Sequence, residues 1–266
     1  MQDDNNWAPR LPKELSEFIA KGHERFLSEL SIDCVIFGYH NQELKILLAK
    51  YAYLNGWGLP AGFIKKEETL TSAATRILKE RTSLENIYLQ QYYAFGDNED
   101  RLKGWRLKYI QPEFIEEFGE ENWLLKRNVS IGYYALIEFS KAELKPNFWY
   151  EELKWYNLNN LPDLLFDNDE MIERAVSTMR NQIYHQPIGY NLLPEKFTLP
   201  EIHVLYETIL DKKLDRRNFP NKLMSLGILI KLDEKRKIGQ HRSPYLYKFD
   251  KEKYMEALKD GVILAF

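Results

Sequence analysis

Residues 57–84 read Trp57-Gly58-Leu59-Pro60-Ala61-Gly62-Phe63-Ile64-Lys65-Lys66-Glu67-Glu68-Thr69-Leu70-Thr71-Ser72-Ala73-Ala74-Thr75-Arg76-Ile77-Leu78-Lys79-Glu80-Arg81-Thr82-Ser83-Leu84. A turn rich in glycine and proline leads into an amphipathic helix, expected at about residues 68–82, with Leu70, Ala73, Ala74, Ile77 and Leu78 on one face. Positions 77, 80 and 81 stand at i, i+3 and i+4, so they project together. Three carboxylates there would hold Mg2+ against a pyrophosphate, because the hard cation takes oxygen ligands and neutralises charge developing during cleavage. This chain places Ile77, Glu80 and Arg81 there, a formal charge of 0 where three acids would carry −3. Arg81 would repel a metal, so this face is not expected to support metal-dependent hydrolysis. Glu80 follows Arg76 by four residues, so an ion pair bracing the helix and direct ligand contact are both open to it.

Working outward, 266 residues suit two domains and a sizeable core. The 29% charged fraction favours solubility, and the 17 Tyr, 14 Phe and 6 Trp supply an unusually aromatic interior. A net charge of −3 conceals a strong asymmetry. Residues 211–248 hold 11 Lys and Arg against 4 Asp and Glu, a net of +7, while the remainder is acidic. A basic island on an acidic protein suits phosphates. Cys34, the lone cysteine, excludes an internal disulfide and a cysteine-built zinc site, and its apolar surroundings predict burial. No metal and no cofactor are expected. The absence of a signal peptide and of any apolar stretch near the roughly 20 residues needed to span a bilayer predicts a cytoplasmic protein with no membrane partner.

Residues 31–39 and 44–51 read as a β-hairpin turning at His40-Asn41-Gln42-Glu43. Residues 88–95, 129–139 and 154–158 read as further strands, and residues 97–127 as a charged, aromatic insertion that folds over the cleft. A helix is expected at residues 169–185, with Asp167, Asn168 or Asp169 as its cap. Strands around one motif-bearing helix give an α/β fold, an α/β/α sandwich with a mixed sheet. The expected divisions are an N-terminal arm or helix at 1–28, an effector-binding domain at 29–160, a connecting helix at 161–188 and a smaller domain at 189–258. Pro187 and Gly189 mark that last junction.

After the junction, Ile202, Leu205, Tyr206 and Ile209 define one buried face of a helix over residues 199–210. A second helix over residues 215–227 opens on Asp215 as cap and stops at Gly227. Phe219, Leu223 and Leu226 would face inward, leaving Arg216, Arg217, Asn218, Asn221 and Lys222 for a DNA groove. Arg and Asn read guanine and adenine edges bidentately, which suits the start of a recognition helix. Pro220 must then lie in the first turn, where no intrahelical hydrogen bond is forfeited. Residues 228–232 and 245–249 would be the strands of a wing, with Lys235, Arg236, Lys237, His241 and Arg242 reaching backbone phosphate. The pattern is that of a winged helix-turn-helix that binds double-stranded operator DNA.

Gly62, Glu68, Arg76, Leu78, Glu80 and Leu84 fall in register with a Nudix box, with Ala61 and Ser83 standing where glycines are expected. Taken with residues 32–38, 129–137, 164–167, 187–194 and 216–219, the chain resembles the Nudix-related transcription regulators, especially their arabinose-responsive repressors, over about residues 30–250. The resemblance implies a Nudix sandwich followed by the winged helix, and a homodimer that releases operator DNA when a small effector fills the old hydrolase cleft. One branch of this group senses ADP-ribose and controls NAD metabolism, and another senses L-arabinose. A neutral pentose needs carboxylates, amides and an aromatic surface, whereas ADP-ribose needs a diphosphate site. The lost acids favour a small sugar effector, L-arabinose or a related pentose. Asp33, Trp57, Phe63, Glu68, Glu80 and Arg127 are the candidate effector contacts. The alternatives are an ADP-ribose-sensing regulator, or a hydrolase of ADP-ribose-like substrates with metal ligands drawn from Glu67, Glu68, Glu80, Glu116, Glu117, Glu120 and Glu121.

Overall fold

The computed structural model describes residues 13–264 apart from 53, 55, 86, 99–100, 102–108, 110–111 and 238–242. Helix α1 (Lys13–Arg25) runs into the long strand β1 (Phe26–His40), and Asn41 and Gln42, both at positive φ, turn the chain into β2 (Glu43–Tyr51). The short strands β3 (Trp57–Gly58) and β4 (Ala61–Lys65) lead to α2 (Leu70–Thr82), then β5 (Tyr88–Phe95). A short helix α3 (Pro112–Phe118) and a 3-10 turn (Trp123–Leu125) precede β6 (Val129–Glu138), β7 (Tyr150–Asn157) and α4 (Asn168–Gln182).

Among the described residues these strands form one mixed seven-stranded sheet, ordered β3-β2-β1-β6-β5 with β4 on β1 and β7 on β2. β1 and β6 run parallel, from Leu30 opposite Val129 to Tyr39 opposite Glu138. Alternation along these central strands sends side chains to two buried faces, which is why both read as nearly unbroken apolar runs. Ile32, Cys34 and Ile36 face α2, meeting its Ala73, Ala74, Ile77 and Leu78. Val35 and Phe37 face α4 with its Met171, Ile172, Ala175 and Met179. Burial raises the Cys34 thiol to about 12, as expected of a small core residue.

Local chemistry sets the helix limits. Thr69 caps α2 by accepting from the Ser72 N–H at 3.2 Å, and Ser83 ends it at φ 60°, where its N–H reaches the Lys79 carbonyl. The cap expected for α4 is different: Asp167 makes no side-chain cap, because its carboxylate is held by Arg101, and the Asn168 Oδ1 accepts from the Leu59 N–H at 2.7 Å. Asp169 and Glu170 remain in the first turn, where they complement the helix dipole. β7 begins four residues before the expected strand because Tyr150 to Glu152 continue the ladder on β2.

The C-terminal part contains β8 (Phe197–Thr198), α5 (Leu199–Leu210), α6 (Asn218–Ser225), β9 (Leu229–Lys235), β10 (Tyr245–Phe249) and α7 (Lys251–Asp260). Thr198 and Glu201 form a capping box on α5. The strands form a sheet ordered β8-β10-β9, the arrangement of a winged helix. Ile202, Leu205, Tyr206, Phe219 and Leu223 are buried there and continuous with the core beneath α4. No helix among the described residues is long and apolar enough to cross a membrane.

Candidate functional site

A cavity of about 950 Å3 opens on the sheet between β1, β4, the end of α2 and the N-terminal helix α1. Its volume lies at the upper end for small-ligand pockets. Phe18 of α1, Phe63 of β4 and Trp149 supply an aromatic wall, with Tyr51, Tyr150 and Phe166 at other points of the lining. The Phe63 ring packs at a tilt, 4.8 Å from Trp123 and 6.0 Å from Phe18. Trp123 donates its indole N–H to the Ile19 carbonyl at 2.8 Å. A Cβ at Gly22 would lie 2.3 Å from that indole, so α1 approaches this closely only because the residue is glycine. From the insertion Arg101 and Leu124 reach the cavity, and Asn128 follows just after it.

The polar side of the lining is a connected network. Arg101, 1% exposed, donates both Nε and Nη2 to Asp167 at 2.7 Å, and Nη1 to the Ser130 hydroxyl at 3.0 Å. The Ser130 and Ser31 hydroxyls are 2.9 Å apart, and the Ser31 hydroxyl donates to Asp33 at 3.5 Å. Asn128 donates to Ser31 at 2.6 Å. Asp33, buried and lining the cavity, can accept from a ligand hydroxyl.

The second cation is Arg81, 5% exposed, in the last turn of α2. Its guanidinium carbon lies 4.9 Å from the centre of the Tyr150 ring, and Nη1 is 3.7 Å from a carboxylate oxygen of Glu80. Its Nε has no hydrogen-bond partner among the described residues. Tyr150 cannot supply one, since its hydroxyl is engaged by the Ala61 N–H and carbonyl, both at 2.9 Å.

The Nudix fold implies a divalent metal at the helix of the box, and the residues present do not fit one. Ile77 is fully buried, and a Cβ on Gly62 would sit 2.8 Å from its side chain, so that position has become core. Glu68 is clamped by Arg76, with Nε at 2.7 Å and Nη2 at 2.9 Å, and by the Lys65 N–H at 3.1 Å; hydrogen bonding from Arg76 leads the effects that pull its carboxyl below the usual range. Glu80 alone lines the cavity as a carboxylate of the box, flanked by Arg76 and Arg81. Among the described residues no group of three His, Cys, Asp or Glu converges to hold a metal, and Glu67, Glu116, Glu120 and Glu121 are exposed.

Of the expected effector residues, Asp33, Phe63 and Glu80 therefore meet at one cavity. Glu68 does not line it and instead ties the loop to α2 together with the Arg76 bond to the Phe63 carbonyl at 2.9 Å. Trp57 is turned to the opposite core, 5.1 Å from Tyr156. Arg127 is exposed outside the cavity, and the buried guanidiniums of the lining are Arg81 and Arg101. Arg81 is visible in the sequence as a charge reversal, but its spacing there shows only its effect on a metal. Nothing local to Arg101 announces its partner, which is 66 residues away.

On the winged helix, Arg216, Arg217, Asn218, Asn221 and Lys222 are all exposed. The N-cap of α6 is Arg217, without a side-chain cap bond, and the expected cap Asp215 stands two residues earlier, its Oδ1 accepting from the N–H groups of Arg217 at 2.9 Å and Asn218 at 2.6 Å. Pro220 falls in the first turn of α6, where its missing N–H costs little. Lys235 and Lys237 are exposed, with Lys235 4.6 Å over the Tyr245 ring. Arg236 differs from the expectation of a phosphate contact: it pairs with Glu201 and donates to the Lys196 carbonyl at 2.8 Å, pinning the wing to α5. His241 and Arg242 lie outside the described residues.

Sandwich, box helix and C-terminal sheet together define a Nudix fold followed by a winged helix. Residues 28–175 match the NUDIX domain family, and residues 189–249 match the NrtR DNA-binding winged helix domain. The chain belongs to the Nudix domain family. It is similar to the ADPR responsive transcriptional repressor NtrR of Acinetobacter baylyi, 27% identical over 232 residues that cover 85% of this chain and 83% of that one. The crystal structure of Shewanella oneidensis NrtR complexed with a 27mer DNA is 26% identical, covers 85% of this chain and 95% of its own, and superposes with a TM-score of 0.67. A MutT/nudix family protein from Enterococcus faecalis shares the fold at 20% identity and a TM-score of 0.58, covering 89% of this chain and 93% of that one.

Proposed function

We propose that this chain is a transcriptional repressor whose Nudix domain binds ADP-ribose and whose winged helix releases operator DNA in response. One observation carries the reading: an aromatic-walled cavity with a buried, partly unsatisfied guanidinium stands in the same chain as a recognition helix that exposes its cations. The similar protein of Acinetobacter baylyi, matched across both parts of the chain, is an ADPR responsive repressor, and this supports ADP-ribose over the L-arabinose expected from the sequence. The chemistry agrees. Aromatic faces suit an adenine, acceptors such as Asp33 suit ribose hydroxyls, and a buried cation suits a diphosphate. A pentose would leave that cation without a counter-charge. The clamped Glu68 and the core position of Ile77 support binding without hydrolysis, and the homodimer expected from the family resemblance belongs to the same reading.

Fluorescence anisotropy with DNA from upstream of the chain's own gene tests it. ADP-ribose is expected to release the DNA at physiological salt and to be recovered uncleaved, while L-arabinose leaves the complex intact. Release by arabinose alone, or no sequence-specific binding, would overturn the reading.

A further inference from the structure

Arg81 occupies a helix position at which the motif of this family carries a metal-binding acid, and three observations indicate what it does there. Its guanidinium is buried, its Nε lacks a hydrogen-bond partner among the described residues, and its nearest acid, Glu80, is 3.7 Å away on a side chain 43% exposed. A desolvated guanidinium without full pairing is destabilising by itself, so the site is built for an additional anion. Of the other guanidiniums of the lining, Arg101 is locked bidentately on Asp167 and Arg76 on Glu68, while Arg25 is exposed to solvent. Arg81 thus offers the cavity an acceptor-seeking fork, and the planar donors of arginine match phosphate oxygens.

We propose that Arg81 is the diphosphate receptor of this cavity and takes over the charge-neutralising role of the box's metal, so that the effector binds without a divalent ion. The inference rests on the ADP-ribose reading and deepens it. Asp33 in the same cavity disfavours phosphate and favours hydroxyls, which gives the site a polarity: diphosphate toward Arg81, ribose toward Asp33. Replacement of an acid by a cation, with Ile77 folded into the core, turns a site for a phosphate–metal complex into one for the free phosphate.

Calorimetric titration of the full chain tests this with ADP-ribose, ADP, inorganic pyrophosphate and adenosine, each in EDTA and in excess Mg2+. The unmutated protein is expected to bind ADP-ribose with the same affinity, within about twofold, in both conditions. Arg81→Gln should weaken ADP-ribose and ADP roughly 10- to 100-fold, the range for a hydrogen bond to a charged group, while adenosine binding is unchanged. Thermal unfolding of the unliganded variant checks its fold; should Arg81→Gln fail to fold, the Mg2+ comparison on the unmutated chain decides alone. A requirement for Mg2+, or undiminished ADP-ribose affinity in folded Arg81→Gln, would overturn the role of Arg81 and leave the repressor reading standing. Binding of ADP and pyrophosphate in EDTA without binding of ADP-ribose would remove the ADP-ribose reading and retain the receptor. If no diphosphate compound bound under either condition, both would fall.

Discussion

Replacing Arg216 and Arg217 together by alanine is expected to weaken operator binding by roughly 100- to 10,000-fold at physiological salt, while the protein melts as before. Each arginine that reads a base edge contributes about 1–3 kcal/mol of discrimination, and one that neutralises a phosphate adds to the salt dependence of binding. Both side chains are exposed beside the start of α6, and the Asp215 carboxylate just before it accepts from the backbone N–H groups of Arg217 and Asn218, which alanine at 216 and 217 retains. Anisotropy titrations at several salt concentrations separate the two roles. Loss of sequence preference marks a base contact, and a flatter salt slope marks a phosphate contact. Affinity equal to that of the unmutated chain would show that this face does not meet DNA.

The second large effect lies inside the Nudix domain. Asp167→Asn is expected to destabilise the fold by about 3–5 kcal/mol, because it strands the buried Arg101 cation without its counter-charge. In a domain of this size each kcal/mol lowers the melting temperature by about 2–4 °C, so a fall of roughly 6–20 °C should appear in a thermal scan. Removing both charges, as Arg101→Met with Asp167→Leu, should recover much of that loss, since an apolar pair of similar volume avoids the cost of desolvation. Equal damage from the single and double variants would mean that the pair acts through its wider hydrogen bonds to Ser130 and Asn128 and not through charge balance.

What the sequence makes legible follows the range of the interactions involved. The box helix, the hairpin at Asn41 and Gln42 and the two helices of the winged domain emerge from local rules: apolar spacing, a threonine or aspartate cap, a turn residue at positive φ. The α/β sandwich follows because strands that read as continuously apolar must be covered on both faces. The cavity is harder to read because its residues come from distant segments. Arg101 finds Asp167 across 66 residues, and Arg236 finds Glu201 across 35. Trp57 misleads for a related reason: its place before the box points to the cleft, but its ring packs against Tyr156 of β7 on the other side of the sheet. Lost acids taken alone favour a neutral sugar, whereas the buried cation that stands in their place attracts an anion.

Helix α4 joins the two halves by more than the chain itself. At its start, Asp167 and Asn168 reach Arg101 and the Leu59 N–H beside the cavity; near its end, Arg180 donates to the Ile209 carbonyl at 2.8 Å and Gln182 accepts from Tyr134. One apolar cluster runs from Val35 of the sandwich through Met179 to Phe219 of the winged domain. Two modules that look separable along the chain therefore share one continuous apolar core. Cutting at the junction near Gly189 would yield fragments with raw, sticky faces instead of two independent proteins, and heat should undo the intact molecule in a single step.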